Sequence, residues 1–189
     1  MTDTVIRDGT GTGSRARVGS DNRIFSDAVT ASRLHISNHV YQDAYTAVFE
    51  VTPGSPGNLF FYLENSNQSK DLIVWTLGVR PAAEEGIEIR LGATGTPVDG
   101  TPVAPANRTA GTGRTGQATV EYGTNITGIS NGKLANRIYF PSGQGSVDWE
   151  CPCGLVVPAN ETLTMYAVNG SIKLNIDMLF EFHKPENTL

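Results

Sequence analysis

The residues best suited to chemistry are two cysteines, three histidines and a few acidic residues. Cys151 and Cys153 flank Pro152, and side chains two residues apart on an extended segment point to the same face. A disulfide across a single residue would be strained, and two thiolates fall short of the four ligands of a structural zinc site. We therefore interpret both cysteines as reduced structural thiols and expect neither a metal nor a cofactor.

The three histidines, His35, His39 and His183, have no recognisable catalytic or metal-binding context. A spacing of four residues would suit a metal pair on a helix, but the sequence around His35 and His39 is typical of strand and turn. No Gly-x-Ser-x-Gly motif marks a nucleophilic serine, and the Gly-rich stretch near the N-terminus lacks the Lys-Ser/Thr of a phosphate-binding loop. The sequence therefore predicts a protein that is not an enzyme.

One acidic pair has an aromatic neighbour. Asp148 and Glu150 flank Trp149, and the two carboxylates share one face if the segment is a strand. Carboxylates beside an aromatic ring are typical of a sugar-binding surface, so these three residues are the candidate contacts for a glycan. The simpler interpretation is a solvated strand face with Trp149 in the core. Tyr139 and Tyr166 are likewise interpreted first as core aromatics with a polar tip and second as residues that stack on a ligand.

Composition limits the possible partners. The chain has 189 residues, a net charge of −5 and only 17% charged residues, which argues against general binding of nucleic acid or anionic membranes. No apolar run approaches the ~18 residues of a membrane span, and the first residues lack the basic start and apolar stretch of a secretory signal. We expect a protein made in a cytoplasm that contacts neither nucleic acid nor membrane.

Short alternating apolar segments, separated by many of the 21 glycines and 10 prolines, fill the middle of the chain. They predict about ten strands and no helix, and the alternation predicts that Ile89 and Leu174 lie on inward faces in the core. The predicted fold class is all-β: a two-sheet antiparallel sandwich of jelly-roll type, forming a single domain over residues 23–183. Asn169-Gly170 is the strongest hairpin signal and predicts that the two strands within residues 162–183 pair with each other.

Three segments fall outside this pattern. Residues 1–22 are rich in Gly, Thr and Ser and have no hydrophobic period, so they predict an extended arm that becomes ordered on a partner. Residues 92–116 are too long for a hairpin loop and predict an exposed loop or an arm that wraps a neighbour. Residues 184–189 are a polar tail. Arginine tolerates interface burial and pairs bidentately with carboxylates, so the candidate docking residues are Arg7, Arg15, Arg17 and Arg23.

The N-terminal half resembles a known group of proteins. Three successive segments lie near the start of the chain: Asp8–Gly13, Ala16-Arg17-Val18 and Asp21-Asn22-Arg23-Ile24. Together they resemble the opening of small structural proteins of tailed-bacteriophage particles. The segment FFYLENS, followed by DLIVWTLGV, resembles their centre. The resemblance implies a β-sandwich or jelly-roll protein of the virion and brings no catalytic residue with it.

The function that the resemblance implies is structural. Decoration, or cement, proteins of this kind bind the major capsid protein from outside, usually as trimers at three-fold axes. We therefore expect a homotrimer on the capsid surface of a virion assembled in a bacterial cytoplasm, with residues 1–22 and 92–116 reaching over neighbouring subunits. The alternatives that remain open are a carbohydrate- or receptor-binding module of a head or tail fibre, an enzyme such as a glycan lyase or hydrolase, and a baseplate or connector protein.

Overall fold

The computed structural model describes the backbone of residues 17–18, 24–25, 42–141 and 147–183, with side chains over 42–141 and 154–183. The chain divides into two compact units, Met1–Ser32 and Arg33–Leu189. In the first unit, β1 (Arg17–Val18) and β2 (Ile24–Phe25) pair antiparallel. The remaining described strands belong to the second unit.

The described part of the second unit consists of strands and loops and contains no helix, which confirms the all-β prediction. The strands are, in chain order, β3 (Ala44–Val51), β4 (Leu59–Asn65), β5 (Asp71–Pro81), β6 (Glu85–Leu91), β7 (Gly95–Val98), β8 (Thr101–Pro102), β9 (Ala106–Asn107), β10 (Ala118–Tyr122), β11 (Thr127–Ile129), β12 (Lys133–Phe140), β13 (Val147–Val157), β14 (Thr162–Ala167) and β15 (Leu174–His183).

Two large antiparallel sheets pack together, which confirms the predicted sandwich. One sheet has six strands in the order β12-β6-β14-β4-β10-β8, and the other has five in the order β13-β5-β15-β3-β9. A separate two-stranded ribbon is formed by β7 and β11. Among the long strands, β3 to β6 alternate between the two sheets, and so do β12 to β15. Each sheet is therefore assembled from strands that are far apart in the chain.

The core lies between the sheets and follows the period of two in the strands. In β15, Leu174, Ile176, Met178 and Phe180 are buried on one face, as the alternation predicts. Aromatic rings fill the centre of the sandwich: the Phe49 and Phe61 rings, one from each sheet, are stacked with centroids 5.1 Å apart. Ile89 of β6 is only 1% exposed, so the inward face predicted for β6 is also confirmed.

The prediction of a hairpin across Asn169-Gly170 is wrong. β14 pairs with β4 and β6, whereas β15 pairs with β3 and β5, so the turn is a corner between the two sheets. The buried carboxylate of Glu85 accepts hydrogen bonds from the backbone N–H groups of Asn169 (2.7 Å) and Gly170 (3.0 Å). Gly170 has φ 74°, and a Cβ there would collide with the backbone of Ser55. A buried side chain from another strand therefore sets the direction of this turn.

Residues 92–116 are mostly exposed, as predicted, but they are not a free loop. They contain β7, β8 and β9. β8 pairs with β10 at one end of the six-stranded sheet, and β9 pairs with β3 at one end of the five-stranded sheet. The segment thus runs from one sheet to the other and adds a short edge strand to each. The expectation that it reaches over a neighbouring subunit stays a prediction.

Candidate interaction surface

The predicted docking arginines are not placed by the structure. The side chains of Arg7, Arg15, Arg17 and Arg23 lie outside the described residues, and only the backbone of Arg17 is placed, opposite Phe25. The polar tail, residues 184–189, also lies outside them. The docking role of this arm stays a prediction.

The candidate glycan residues lie on β13, and their side chains also fall outside the described part of the chain. The backbone register pairs them with β5: Asp148 with Gly78, Trp149 with Leu77, and Glu150 with Thr76. Leu77 is a core residue, 1% exposed. The carbohydrate-binding role of these three residues stays a prediction.

The two cysteines mark an irregularity in the same strand. The pairing of β13 with β5 shifts between Glu150 and Leu155, so residues 151–154 bulge away from the regular ladder. A bulge tolerates Pro152, which has no N–H to donate. A single bulged strand therefore runs through Cys151-Pro152-Cys153. The thiols themselves lie outside the described side chains.

The two candidate tyrosines have different environments. Tyr166 is only 7% exposed, and its hydroxyl donates a hydrogen bond to the carbonyl of Ser130 (3.3 Å). Burial raises the pKa of this phenol, and the Arg90 guanidinium lies 5.1 Å from the ring centroid. Tyr166 is therefore a buried aromatic with a polar tip, as predicted. Tyr139 is 55% exposed on β12, so its assignment to the core is wrong.

A row of charges connects β12 to its neighbour. The Glu88 carboxylate of β6 accepts hydrogen bonds from the guanidinium groups of Arg90 (2.6 Å) and Arg137. These bonds, the one from Arg90 first, lower the pKa of Glu88 although burial opposes the shift. Because Arg137 lies on β12, the pair ties this strand to β6. Each charge in the row has a partner, so the row is a structural link rather than a binding site.

A second polar cluster lies where the chain enters β3. The Asp43 carboxylate accepts hydrogen bonds from the Lys70 ammonium group and from the Arg114 guanidinium (3.0 Å). The Asn67 amide donates to the side-chain oxygen of Gln117. A cavity of about 350 Å³ lies among these residues. The contacts join three segments that are distant in the chain, and the Asp43 carboxylate bridges the two cations.

The two sides of the sandwich differ in what covers them. On one side, β8 and β9 from residues 92–116 end the two sheets. On the other side, β12 and β13 end the sheets, and no strand in the described part of the chain pairs with their outer edges. The unpaired N–H and C=O groups of such an edge are a template for pairing with another chain. This uncovered side, formed by β12 and β13, is called the open side.

An apolar groove of about 610 Å³ lies on the open side. Leu134 of β12 is 53% exposed there, and Val156 of β13 is 42% exposed. Lys133 and Glu161 also line the groove. The apolar part of the lining is completed by Leu91, Ala135, Val157 and Pro158. Exposed apolar residues grouped in a groove, unlike single ones, are typical of an interaction surface.

The sequence alone did not identify the groove. Leu134 is a single apolar residue in the polar stretch NGKLANR, which gives a weak signal for a surface contact. Val156 lies in an apolar run, GLVV, that is typical of a buried strand. Only the pairing of the strands shows that both residues lie at the ends of the sheets.

No group of three or more His, Cys, Asp or Glu residues is placed to hold a metal ion among the described residues. In the same part of the chain, no helix has the length and apolar character needed to cross a membrane. Comparisons of the chain with protein-family models, with curated proteins and with solved structures find no match.

Proposed function

We propose that this chain is a structural protein of a bacteriophage particle. Its role is that of a capsid decoration protein, which binds the major capsid protein on the outer surface as a homotrimer and stabilises contacts between capsomers. The open side is the observation that carries the proposal. Two edge strands that no other strand in the described part of the chain pairs with, together with an apolar groove, suit packing against other protein. The resemblance of the N-terminal half supports the phage setting.

The strand order supports the jelly-roll connectivity as part of this proposal. We number the eight long strands, β3 to β6 and β12 to β15, from one to eight in chain order. Across one sheet, the neighbouring strands are then the first, eighth, third and sixth. Across the other sheet, the neighbouring strands are the second, seventh, fourth and fifth. We infer a jelly roll because this is the order that two interleaved Greek keys produce. Residues 92–132 are then an insertion between the fourth and fifth strands.

Binding to capsids tests the proposed function. Capsids of the phage that encodes the chain, prepared without it, are mixed with the purified protein and sedimented. We expect saturable co-sedimentation with the capsid and a higher melting temperature for the decorated shell. The proposal is wrong if the full chain does not bind. Saccharide binding on a glycan array that is lost in Trp149→Ala would favour the carbohydrate-binding alternative.

Deletion of residues 1–22 tests the arm. The sandwich lies in the other compact unit, Arg33–Leu189, so the melting temperature should stay within about 2 °C of the full chain's. Capsid binding should be lost, because the arm is proposed to dock on neighbouring subunits. A matched control replaces only the four arginines, Arg7, Arg15, Arg17 and Arg23, with glutamine. Capsid binding by the truncated chain equal to that of the full chain would show that the arm is dispensable.

A further inference from the structure

We infer that the groove on the open side is an interface between copies of this chain, and that its occupant is the same region of a second copy. The inference deepens the proposed function and rests on it for the setting, the capsid surface, where copies meet. It names the surface through which the proposed trimer would close. Three properties of the groove support this assignment: edges that no described strand pairs with, an apolar lining and two charges.

The edges of the groove offer backbone groups and exposed side chains together. The first three residues of β12, Lys133, Leu134 and Ala135, are all exposed, so this part of the strand is covered on neither face. Natural proteins blunt such edges with very short strands, charged side chains, prolines, bulges or covering segments, and β12 has the charged side chains of Lys133 and Arg137. β12 has eight residues and no proline. This edge is therefore accessible to a second protein chain.

The apolar lining gives the contact its driving force. Leu134 and Val156 both line the groove, and both are exposed to water in the single chain. Burying apolar surface contributes about 25 cal/mol for each Å² removed from water. Val48 and Val98 are also exposed, but neither lines this groove, and isolated apolar residues on a surface are ordinary. The groove is where exposed apolar groups are gathered.

The charges indicate which partner fits. Lys133 and Glu161 both line the groove, and neither forms an ion pair with another described residue. A partner of a single charge would satisfy one of them and repel the other. A second copy presents an apolar centre with both charges, so Lys133 of each copy can meet Glu161 of another. When Lys133 of one copy meets Glu161 of the next copy around a three-fold axis, the contact is head-to-tail, and such contacts close into a ring when the rotation between copies allows it.

The oligomeric mass of the full chain tests this assignment. Light scattering on a sizing column should give a mass near three times 20.2 kDa. Leu134→Glu should yield monomers, with a dissociation constant raised at least about thirtyfold, and its melting temperature as a diluted monomer should match that of the wild type. The matched control is Val48→Glu, at a residue that is 66% exposed and lies outside the groove, which should leave the mass unchanged.

Charge reversal separates the proposed contact from a general loss of solubility or folding. Lys133→Glu and Glu161→Lys should each weaken association about tenfold. The double variant should restore it, because the two charges are then exchanged between copies. A wild-type mass of 20.2 kDa at every concentration, or a Leu134→Glu oligomer as tight as the wild type, overturns the inference. Capsid binding is measured in a separate experiment. A result that contradicts this interface therefore does not decide whether the chain is a decoration protein.

Discussion

On one side of the sandwich the chain ends its sheets with β8 and β9, strands of two residues each, whereas on the other side it ends them with β12 and β13, of eight and eleven residues. The short strands come from a segment rich in Gly, Thr and Pro. Pro102, in the outermost strand β8, has no N–H to offer a further strand. The long strands expose more edge: β13 is interrupted by a bulge that contains Pro152, but β12 has no proline, and no described strand pairs with the outer edge of either.

The difference teaches that low-complexity sequence can have a protective role. Residues 92–116 have little apolar content, yet they cover two sheet edges, each through only two pairs of residues. Blunted edges of this kind resist unwanted association. Among the residues that the structure describes, only the side with β8 and β9 has such short terminal strands, whereas β12 and β13 are long. The open side is therefore the place where a partner is expected.

The largest effect should separate the shared interior from the open side. Leu174→Ala and Ile89→Ala should each lower the free energy of unfolding by about 2–5 kcal/mol, because both residues are fully buried and leave a cavity. Leu134→Ala removes the same kind of side chain from the open side and should change stability of the monomer by less than about 0.5 kcal/mol. Urea unfolding at low protein concentration measures all three. An equal loss in Leu134→Ala would mean that the groove belongs to the interior.

A smaller effect should distinguish the covered side from the open one. Asn107 in β9 donates a hydrogen bond to the carbonyl of Gln42 (2.7 Å) and accepts one from the N–H of Thr109 (2.7 Å). Asn107→Ala should therefore cost about 1–2 kcal/mol. Asn136→Ala on β12 loses only a bond to the neighbouring N–H of Arg137 (2.8 Å) and should cost less than about 0.5 kcal/mol. Equal costs would remove the distinction between the two sides.

The smallest effect concerns the ion pair that attaches the open edge. The pKa of Glu88 is held below its ordinary value of 4.5, by Arg90 first and by Arg137 as well. A lowered carboxylate pKa gives stability that is present above the pKa of the unfolded chain and lost as pH falls through the lower folded value. Glu88→Gln should therefore reduce the loss of stability on acidification, measured as the urea midpoint against pH. Its cost at neutral pH should be about 1 kcal/mol or less.

The matched variant Arg137→Gln keeps the carboxylate and the bonds from Arg90 and removes only the side-chain link between Glu88 and β12, whose backbone pairing with β6 remains. Its loss of stability on acidification should differ less from that of the wild type than the loss in Glu88→Gln does. The reason is that Arg90, the main cause of the lowered Glu88 pKa, remains in place. Parallel pH curves for the wild type and Glu88→Gln would contradict the assignment of acid sensitivity to this residue.

Sequence patterns predicted what each strand would bury but not which strand it would pair with. Alternation placed Leu174 and Ile89 in the core correctly, because a period of two is a local property. The Asn169-Gly170 turn was misassigned because its partner, Glu85, lies in another strand and leaves no mark in the local sequence. Contacts between distant strands therefore limit what can be predicted.

The candidate surface could not be predicted for a related reason. Whether Leu134 or Tyr139 is buried depends on the position of β12 at the end of its sheet, and the alternation of a strand is the same at an end as in the middle. Tyr139 was assigned to the core on its aromatic character alone. Strand order, which neither composition nor periodicity contains, decides which apolar residues remain available to a partner.

Strand order also bears on how the protein can be made. The strands that join the halves of the two sheets come late in the chain: β14 lies between β4 and β6, and β15 lies between β3 and β5. Chains generally begin to fold while synthesis proceeds from the N-terminus. When translation has reached only Glu161, neither sheet can be complete. The six-stranded sheet still lacks β14, which joins β4 to β6, and the five-stranded sheet still lacks β15, which joins β3 to β5. The sandwich must therefore close late, over one short stretch of translation.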